Sequence, residues 1–487
     1  MNLTDILHAA ASRHAHRPAV TDVRTGRSLS YEALAREAEH VASFLRARGV
    51  ERGHRIAMLS PNSLAYVPAA FGLLGAGACV VPVPINLAPA EMANLLGDMD
   101  VNGCVSSPGV EPAGGAAAAT SLVGGECDGF TFQWRAREAT GPGGLRALDP
   151  AFIRFTSGTT AQCKGVVLSH TATAARVSAA DAVLRFTPDD RILWVLPLAY
   201  HFAVTIVAYI KAGAHILMCP DTLPHSLVDS MRRLRATVLY ASPFHFERLG
   251  RLERARPLPG VRLALSTSAP ISAAVMERFE AAYGVPVAQA YGIIEAGLPC
   301  INVRDGDSPP TSVGRPVPGY DVAVFSDAGA PLRAGETGEI GVRGAGLFCA
   351  YYAPWQPRET VTRDGWFLTG DIGHLDPGGS LYLEGRKKSV IFVAGVKFFP
   401  DEVEACINTF PGVMESRVVG EAHPRLGQVP RAEVVLADGG CDLDALKSHC
   451  ARALSSYKVP LDFTVVAAIA RTPGGKILRR KPAEVAG

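Results

Sequence analysis

Short apolar runs separated by helical segments constrain the fold of this chain more than any other feature of its sequence. The runs include RIAML, CVVPV, ILWVL, HILMC, TVLYAS and VPVAQAYG. Strands that alternate with helices pair mostly in parallel, because each helix returns the chain across a face of the sheet. Since the runs are apolar throughout, both faces of such a sheet are expected to be covered. The pattern predicts an α/β fold with a large N-terminal lobe of mostly parallel sheets covered by helices.

The chain is long enough for more than one domain. It has 487 residues, and 48% of them are hydrophobic, whereas single cores rarely organise more than about 300 residues. Beyond Tyr320 the strands become shorter and alternate polar with apolar residues, which indicates antiparallel hairpins or a small distorted barrel. After Arg386 comes a compact strand, helix, strand and helix order. We expect a large domain over residues 1–387 and a small α+β domain over residues 388–487.

Charge and cysteine usage narrow the function classes. The 48 basic residues nearly balance the 46 acidic ones, and no block of five like charges occurs. Neither nucleic acid nor an anionic membrane is therefore an expected partner, whereas a small molecule is. The ten cysteines include no C-x-x-C pair and no cluster at zinc-ligand spacing, which argues against disulfides and structural zinc. The start MNLTDILHAAASRHAHRPAV lacks the pattern of a secretory signal, so a cytoplasmic location is predicted.

Two uncharged stretches approach the length of a membrane span. They run from Leu64 to Val81 and from Ile192 to Ile210. Both contain proline, and the first also contains three glycines. Because these residues weaken a membrane helix, each stretch is predicted to be a buried helix that feeds a central strand.

The segment TSGTTAQCKG, from Thr156 to Gly165, has the composition of a phosphate-binding loop. It is not the common P-loop, because its lysine lies six residues after Gly158 and precedes glycine and valine. This spacing argues against a P-loop kinase. Backbone N–H groups, hydroxyl groups and an ammonium can all meet phosphate oxygens, although a solvated Ser/Thr turn is the alternative. The phosphate-binding candidates are Thr156, Ser157, Gly158, Thr159, Thr160 and Lys164.

Four motifs together resemble the adenylate-forming superfamily, which includes acyl-CoA synthetases, aryl-CoA ligases, firefly luciferase and peptide-synthetase adenylation domains. TSGTTAQCKG resembles its T-S-G-T-T-G-x-P-K-G loop, and AYGIIEAG, GWFLTGD with EGRKKS, and RTPGGKILRR follow in the family's order over nearly the whole chain. The resemblance implies an acid–thiol ligase. MgATP and a carboxylic acid would give an acyl-adenylate and pyrophosphate, and a phosphopantetheine thiol would then give a thioester and AMP.

The same resemblance assigns the nucleotide and metal ligands. Tyr291 is expected to stack on adenine, and Glu295 to bind Mg²⁺, a hard cation that prefers oxygen ligands. Asp371 of the T-G-D motif is expected to accept hydrogen bonds from both ribose hydroxyls, and Arg386 to reach the same sugar. The remaining candidates are Gly292, the adenine-lining turn residues Ser268, Ala269 and Pro270, and Thr160 as a second metal ligand.

The small C-terminal domain supplies the other half of the implied mechanism. Lys476 is expected to bridge the acid carboxylate and the α-phosphate, where a cation offsets two anions brought together. The family's hinge falls on Lys388, so the small domain is expected to be mobile and to present a second face for thioester formation. Gly395 and Lys397, in AGVKFFPDEVE, are the candidates for the pantetheine channel.

The segment LPLAYHFAV resembles the family's L-P-x-x-H segment with one extra residue before the histidine. His201 is therefore the candidate beside the substrate carboxylate, and a core histidine is the alternative. The segment lacks the aspartate with which amino-acid-activating domains pair the substrate ammonium, so an uncharged acyl or aryl acid is favoured. The other candidates for the acid pocket are Phe202, Ser242, Phe244, Ile294 and Leu298.

Several residues depart from the family pattern. Ala161 and Cys163 replace glycine and proline of the phosphate loop, and Ile294 replaces the threonine of Y-G-x-T-E. Loss of that hydroxyl removes a hydrogen bond to phosphate worth roughly 1.5–3 kcal/mol, which would slow adenylation about tenfold or more. These departures leave two alternatives to a CoA synthetase open. In the first, the thiol belongs to an acyl or peptidyl carrier protein and not to coenzyme A. In the second, the chain binds nucleotide or acyl ligand without turnover.

Overall fold

The computed structural model describes residues 2–87, 89–112, 119–135, 141–155, 164–221, 223–253, 255–306, 308–389, 391–393, 396–423, 426–437, 440–471 and 477–478. The helices in this part of the chain are α1 (Leu3–His14), α2 (Tyr31–Arg46), α3 (Tyr66–Gly75), α4 (Pro89–Asp98), α5 (His170–Leu184), α6 (Leu198–His201), α7 (Val207–Ala212), α8 (Pro224–Arg233), α9 (Pro243–Gly250), α10 (Ala273–Tyr283), α11 (Arg358–Val361), α12 (Pro400–Ile407) and α13 (Leu443–Ala453). The strands are β1 (Pro18–Asp22), β2 (Ser28–Ser30), β3 (Arg55–Leu59), β4 (Cys79–Val83), β5 (Gly103–Ser106), β6 (Thr120–Ser121), β7 (Thr131–Trp134), β8 (Pro150–Phe155), β9 (Gly165–Ser169), β10 (Arg191–Trp194), β11 (His215–Met218), β12 (Val238–Ala241), β13 (Leu263–Ser266), β14 (Val287–Ile293), β15 (Gly297–Asn302), β16 (Arg315–Pro316), β17 (Tyr320–Phe325), β18 (Gly338–Gly344), β19 (Ala350–Tyr351), β20 (Gln356–Pro357), β21 (Phe367–Leu375), β22 (Leu381–Arg386), β23 (Ile391–Val393), β24 (Val396–Phe398), β25 (Val413–His423), β26 (Gly427–Leu436) and β27 (Asp462–Val465).

Two large sheets form the body of the N-terminal lobe. The first has the strand order β16-β15-β14-β13-β12-β10-β11-β1-β2, and the second β20-β19-β9-β8-β4-β3-β5-β7-β6. Parallel pairs run through the middle of each sheet, from β14 to β1 in the first and from β8 to β5 in the second. Antiparallel strands complete the edges of both. The predicted covered parallel sheet is thus confirmed, with mixed edges that the sequence pattern did not indicate.

The strand order reverses beside β10. From β10 the chain passes to β11 on one side and then returns to β12 on the other side. In open α/β sheets a crevice forms outside the carboxyl ends of the strands at such a reversal, and ligands bind there. Trp194 ends β10, and Ser242 directly follows β12. The topology therefore places the predicted acid pocket at a position suited to a ligand.

The two uncharged stretches are buried in the lobe. The first contains α3 followed by β4, as predicted. The second has the opposite order, because β10 comes first and α6, a π-helical turn (Phe202–Ile206) and α7 follow it. Among the described residues, the structure holds no helix with both the length and the apolarity of a membrane span. The cysteines among the described residues are free thiols.

The C-terminal part of the chain has its own core. The strands β17, β18, β21 and β22 first form an antiparallel sheet, which confirms the predicted hairpins. The prediction of shorter strands is wrong for this sheet, because its strands have 6, 7, 9 and 6 residues, whereas β10 to β13 have 4 each. Next, β23 to β27 form a separate sheet with α12 and α13, around buried residues such as Ile391, Val403 and Val434. Lys388 lies in a short 3₁₀ turn that links the two sheets. The domain boundary near Lys388 stays a prediction.

Candidate functional site

Three residues predicted to bind the nucleoside meet in one cluster. Tyr291 lies in β14, and its hydroxyl donates to Asp371 Oδ2 at 2.8 Å. Arg386 lies opposite Asp371 in the antiparallel register of β21 and β22, so its Nε reaches the other carboxylate oxygen at 2.7 Å. Asp371 is 6% exposed. A buried carboxylate held on both oxygens keeps a fixed orientation, and its remaining lone pairs can accept from ligand hydroxyls.

The electrostatics of this cluster fix the phenol of Tyr291 as a donor. Burial, reinforced by the Asp371 carboxylate, holds the pKa of Tyr291 well above its ordinary value. The hydroxyl therefore stays protonated at neutral pH. Gly292, the next residue, approaches its neighbours so closely that a Cβ there would lie 2.6 Å from the Gly297 carbonyl oxygen and 2.7 Å from Leu298. Glycine is required at this position because any larger residue would force the two chain segments apart.

Glu295 lies in the turn between β14 and β15 and contacts a tyrosine that the motifs did not single out. The Tyr351 hydroxyl donates to Glu295 Oε1 at 2.9 Å. Lys164, the described lysine of the phosphate loop, places Nζ 4.9 Å from the centre of the Tyr351 ring. Tyr351 thus links a predicted phosphate ligand to the predicted magnesium ligand. The sequence carried no spacing signal for Tyr351, which belongs to a two-residue strand.

Arg176 holds the backbone of the same turn through hydrogen bonds. It extends from α5, is 1% exposed, and donates to the carbonyl groups of Ile294 at 3.0 Å and Glu295 at 3.2 Å. Its Nε also donates to the Gly346 carbonyl at 3.0 Å. The buried guanidinium can donate to these carbonyl groups only while the turn keeps this conformation, so Arg176 stabilises the turn. The sequence pattern of α5 gives no signal for a polar role of Arg176, so the sequence did not identify this residue.

Aromatic rings surround His201 at the carboxyl ends of the central strands. The His201 ring meets Trp194 edge-on at 5.7 Å and Tyr240 at 6.0 Å between ring centres. Trp194 and Tyr240 stack on each other at 5.5 Å, since β10 and β12 place them opposite each other. Such a wall favours an apolar or aromatic group beside His201. The place of His201 in the acid pocket stays a prediction.

The other predicted pocket residues divide into two groups. Ser242 and Phe244 lie where β12 gives way to α9, and Phe244 is 43% exposed. Ile294 and Leu298 flank the Glu295 turn and pack on the main core. Phe202 is 2% exposed and packs against Tyr66, Phe71 and Phe152. Its proposed place in the pocket wall is a mistake, because the π-helical turn directs the ring into the core.

Ser242 contacts a buried histidine that the sequence motifs did not single out. Its hydroxyl lies 2.8 Å from His245 Nδ1, and His245 is 9% exposed. Burial, and then the charge of Arg248, lower the pKa of His245 to about 4. The imidazole is therefore neutral at pH 7 and stabilises the start of α9. This contact is a structural use of Ser242, and its place in the acid pocket stays a prediction.

The adenine-lining turn follows β13. Ser268 in this turn has a φ of +77°. A residue with a Cβ costs about 1–2 kcal/mol in this left-handed region, so surrounding contacts must hold the turn. Ala269 and Pro270 lie beside Ser268 in the exposed part of the turn.

Several predicted site residues lie outside the described residues: Thr156, Ser157, Gly158, Thr159, Thr160, Ala161, Cys163, Gly395 and Lys476. Lys388 and Lys397 are described in their backbone alone. The residues on either side of the Lys476 segment are informative, because Arg471 forms a β-bridge with Ile477. The Arg471 guanidinium lies 5.9 Å from the centre of the Phe244 ring in the large lobe. Arg471, the first residue of the terminal motif, therefore lies close to Phe244 of the predicted acid pocket.

The donor set around Glu295 suits a cation that also binds phosphate. Within the described ranges, the structure holds no group of three or more His, Cys, Asp or Glu side chains able to bind a metal ion. Mg²⁺ needs only one or two protein carboxylates when phosphate oxygens and water supply the other ligands. Glu295 fits this requirement, because Tyr351 contacts Oε1 and leaves Oε2 for the ion.

Two family models and several known proteins match this chain. The family described as AMP-binding enzyme matches residues 7–352, and the AMP-binding enzyme C-terminal domain matches residues 402–476. Sulfoacetate–CoA ligase of Cupriavidus necator is 29% identical over 98% of this chain and 97% of its own length. Indoleacetate–CoA ligase of Aromatoleum aromaticum is 31% identical over 96% and 95%. The crystal structure of ATP-bound MatB from Rhodopseudomonas palustris has a TM-score of 0.83 at 26% identity and covers 98% of this chain and 97% of that one.

Proposed function

Because this chain belongs to the AMP-binding enzyme family, we propose that it is an AMP-forming acid–thiol ligase that converts a small acyl or aryl carboxylic acid to its CoA thioester. The acid carboxylate attacks the α-phosphate of ATP, a C–O–P link forms, and pyrophosphate leaves. The thiol then attacks the acyl carbon, the C–O bond to AMP breaks, and the thiol proton is released. AMP is a far better leaving group than hydroxide, which is why activation precedes thioester formation.

The observation that carries this proposal is the arrangement at Asp371. Tyr291 and Arg386 hold its two oxygens, and Glu295 follows Tyr291 by four residues on the adjoining turn. A ribose bound to Asp371 and phosphates directed toward Glu295 would lie along one cleft. We propose that Asp371 and Arg386 orient the ribose and that Lys164 and Glu295 hold the phosphate end. Bound Mg²⁺ would neutralise phosphate charge as pyrophosphate departs.

The identity of the thiol is the open part of the proposal. The relatives named above are CoA ligases, which supports coenzyme A over a carrier protein. Ile294, which lacks a hydroxyl, is the residue that would favour the carrier-protein branch. The retained charged residues Lys164, Glu295, Asp371 and Arg386 argue against a binding protein without turnover. A cytoplasmic location stays a prediction from the sequence.

Acid-dependent exchange of labelled pyrophosphate into ATP tests the first half-reaction. Fatty, aromatic and short branched acids are each supplied with MgATP, and exchange with at least one acid is expected. The second half-reaction is then measured with coenzyme A and, separately, with a phosphopantetheinylated carrier protein. Failure to exchange with every acid would favour the binding protein.

Lys476→Ala tests the terminal lysine in the same assay. Removal of a cation that stabilises charge in the transition state is expected to slow exchange about 10²- to 10³-fold. Lys447→Ala is the matched control, because this lysine of α13 donates to the Leu461 carbonyl at 3.0 Å on the small domain. A Lys476 variant as fast as the parent would overturn its proposed role.

A further inference from the structure

Strand β21 contains a bulge at the point where it presents Asp371. The antiparallel register with β18 breaks after Glu339, so that Ile340 of β18 faces residues 369–371 of β21. Extra residues in a bulge have no partner in the ladder, and they redirect a side chain out of the regular pleat. Gly370, in the middle of the bulge, has a φ of +75°, which glycine adopts without strain. The position of the Asp371 carboxylate therefore depends on the contacts that hold this bulge.

Two side chains hold the backbone of the bulge. The Gly370 N–H donates to Glu339 Oε1 at 3.1 Å. The Asp371 N–H donates to Thr369 Oγ1 at 3.1 Å, and the Thr369 hydroxyl in turn donates to the Ile340 carbonyl at 3.0 Å. A backbone N–H that has left the ladder needs such an acceptor, and a carboxylate is a strong one. Glu339 therefore holds the residue directly before the predicted ribose ligand.

The second oxygen of Glu339 contacts the end of β22. Lys387 Nζ lies 2.9 Å from Glu339 Oε2 and 3.1 Å from Asp327 Oδ1. The Asp327 side chain is 78% exposed and that of Glu339 13%, so water screens the contact with Glu339 less. Hydrogen bonds to Glu339, and then to Asp327, raise the pKa of Lys387. Lys387 directly follows Arg386, whose Nε contacts Asp371. One carboxylate thus joins the bulge that presents Asp371 to the strand end that presents Arg386.

We propose that Glu339 is a positioning residue for the ribose: it holds the bulge so that the Asp371 carboxylate can accept from both ribose hydroxyls, and through Lys387 it holds the strand end that carries Arg386. This inference rests on the proposed function, because it adds a residue to the proposed nucleotide site. Glu339 lies in GEIGVRG, which the sequence pattern identified only as a strand. A role in the fold alone would weaken the binding of every nucleotide equally. A positioning role weakens the contribution of the ribose hydroxyls.

Calorimetric titration with AMP and with 2′,3′-dideoxy-AMP measures that contribution without turnover. The parent protein is expected to bind AMP at least about tenfold more tightly, because the dideoxy nucleotide lacks both donors to Asp371. Glu339→Ala removes both contacts of the carboxylate, and this preference is expected to fall about tenfold while the affinity for dideoxy-AMP changes little. Glu339→Gln keeps a carbonyl oxygen for the Gly370 N–H and is expected to restore most of the preference. Lys387→Met keeps the Gly370 contact and is expected to cause a smaller loss than Glu339→Ala.

Glu384→Ala is the matched control in the same sheet. Glu384 accepts from the Thr337 hydroxyl at 2.9 Å and pairs with His374 at 2.6 Å, and its removal should leave the preference of the parent. Urea titration checks that each variant folds. If Glu339→Ala does not fold, Glu339→Asp takes its place, because its shorter side chain withdraws the carboxylate from Gly370 and should lower the preference in the same way.

The outcomes separate this inference from the proposed function. A preference equal to that of the parent in Glu339→Ala or Glu339→Asp would overturn the inference, and so would an equal loss of affinity for AMP and dideoxy-AMP. A parent protein that binds both nucleotides alike would overturn it as well, since Asp371 would then not bind the ribose. Pyrophosphate exchange tests the proposed function separately. If the parent prefers AMP but exchanges with no acid, the proposed function fails, and the loss of preference in Glu339→Ala still supports the positioning role.

Discussion

Tyr351→Phe isolates the single hydrogen bond that orients the predicted magnesium ligand. The substitution removes the hydroxyl that donates to Glu295 Oε1 at 2.9 Å. It keeps the ring that faces Lys164 Nζ at 4.9 Å. Burial, with the Glu295 carboxylate beside it, raises the pKa of Tyr351 above its ordinary value, so the hydroxyl is a donor across the whole assay range. The variant therefore changes one contact in the site.

The expected size of the effect follows from that contact. A hydrogen bond to a charged group is worth about 1.5–3 kcal/mol, and about 1.4 kcal/mol corresponds to a factor of ten. Without the donor the Glu295 carboxylate can rotate away from the position that serves the ion. Loss of such a supporting group usually costs about 10–100-fold in metal affinity or activity. We expect the free Mg²⁺ concentration for half-maximal exchange to rise by about 10–100-fold.

Initial rates of pyrophosphate exchange against free Mg²⁺ measure this shift. Tyr352→Phe is the matched control, because its hydroxyl is buried without a hydrogen-bond partner among the described residues. Its ring packs in the smaller cluster around Ile153. The control should keep the Mg²⁺ dependence of the parent. If the two phenylalanine variants share one Mg²⁺ curve, Tyr351 does not position Glu295 for the ion.

Three further predictions use the same protein. Asp371→Asn removes the charged acceptor for the ribose and the partner of Arg386, and the KM for ATP in the exchange assay should rise at least about tenfold while the KM for the acid changes little. Arg176→Met leaves buried carbonyls of the Glu295 turn without a donor, and urea titration should report a loss of about 2–4 kcal/mol in the free energy of unfolding; a loss below 1 kcal/mol would contradict this assignment. Burial lowers the pKa of both His215 and His245 from 6.5 to about 4. Between these pH values the unfolded chain binds more protons than the folded protein, so stability falls as pH falls, by about 2 kcal/mol per histidine at pH 5 relative to pH 7. Urea titrations at the two pH values check this, and a pH-independent midpoint would refute it.

The local sequence pattern was sufficient to predict the central strands of the two large sheets. The apolar runs predicted strands in the parallel centres of both large sheets, because strands covered on both faces need continuous apolar sequence. The edges were not predicted, since short strands such as β16 and β20, of two residues each, carry no periodicity. The order of strand and helix in the second uncharged stretch was also wrong, because length and hydropathy do not distinguish a buried strand from a buried helix.

Motif spacing identified residues of the site that lie close together in sequence. Tyr291 and Glu295 come from one motif, and Asp371 comes from another that ends at Arg386. The two motifs lie on different strands, and the contact between Tyr291 and Asp371 forms because both strands reach the same cleft.

Phe202 was assigned to the pocket because it follows His201 in the sequence. Proximity to His201 in sequence says nothing about direction when a π-helical turn begins between them.

The supporting residues Tyr351 and Arg176 could not be predicted, because each acts through contacts between segments that are distant in the sequence. Tyr351 and Glu295 are 56 residues apart, and Arg176 and Glu295 are 119 apart. Which tyrosine of the Tyr351–Tyr352 pair faces the site depends on strand register alone. Strand β19 pairs with β9 so that Tyr351 lies opposite Val166, and a shift of one residue would exchange the two faces. The sequence presents two equivalent hydroxyls, and a two-residue strand decides which one holds the magnesium ligand.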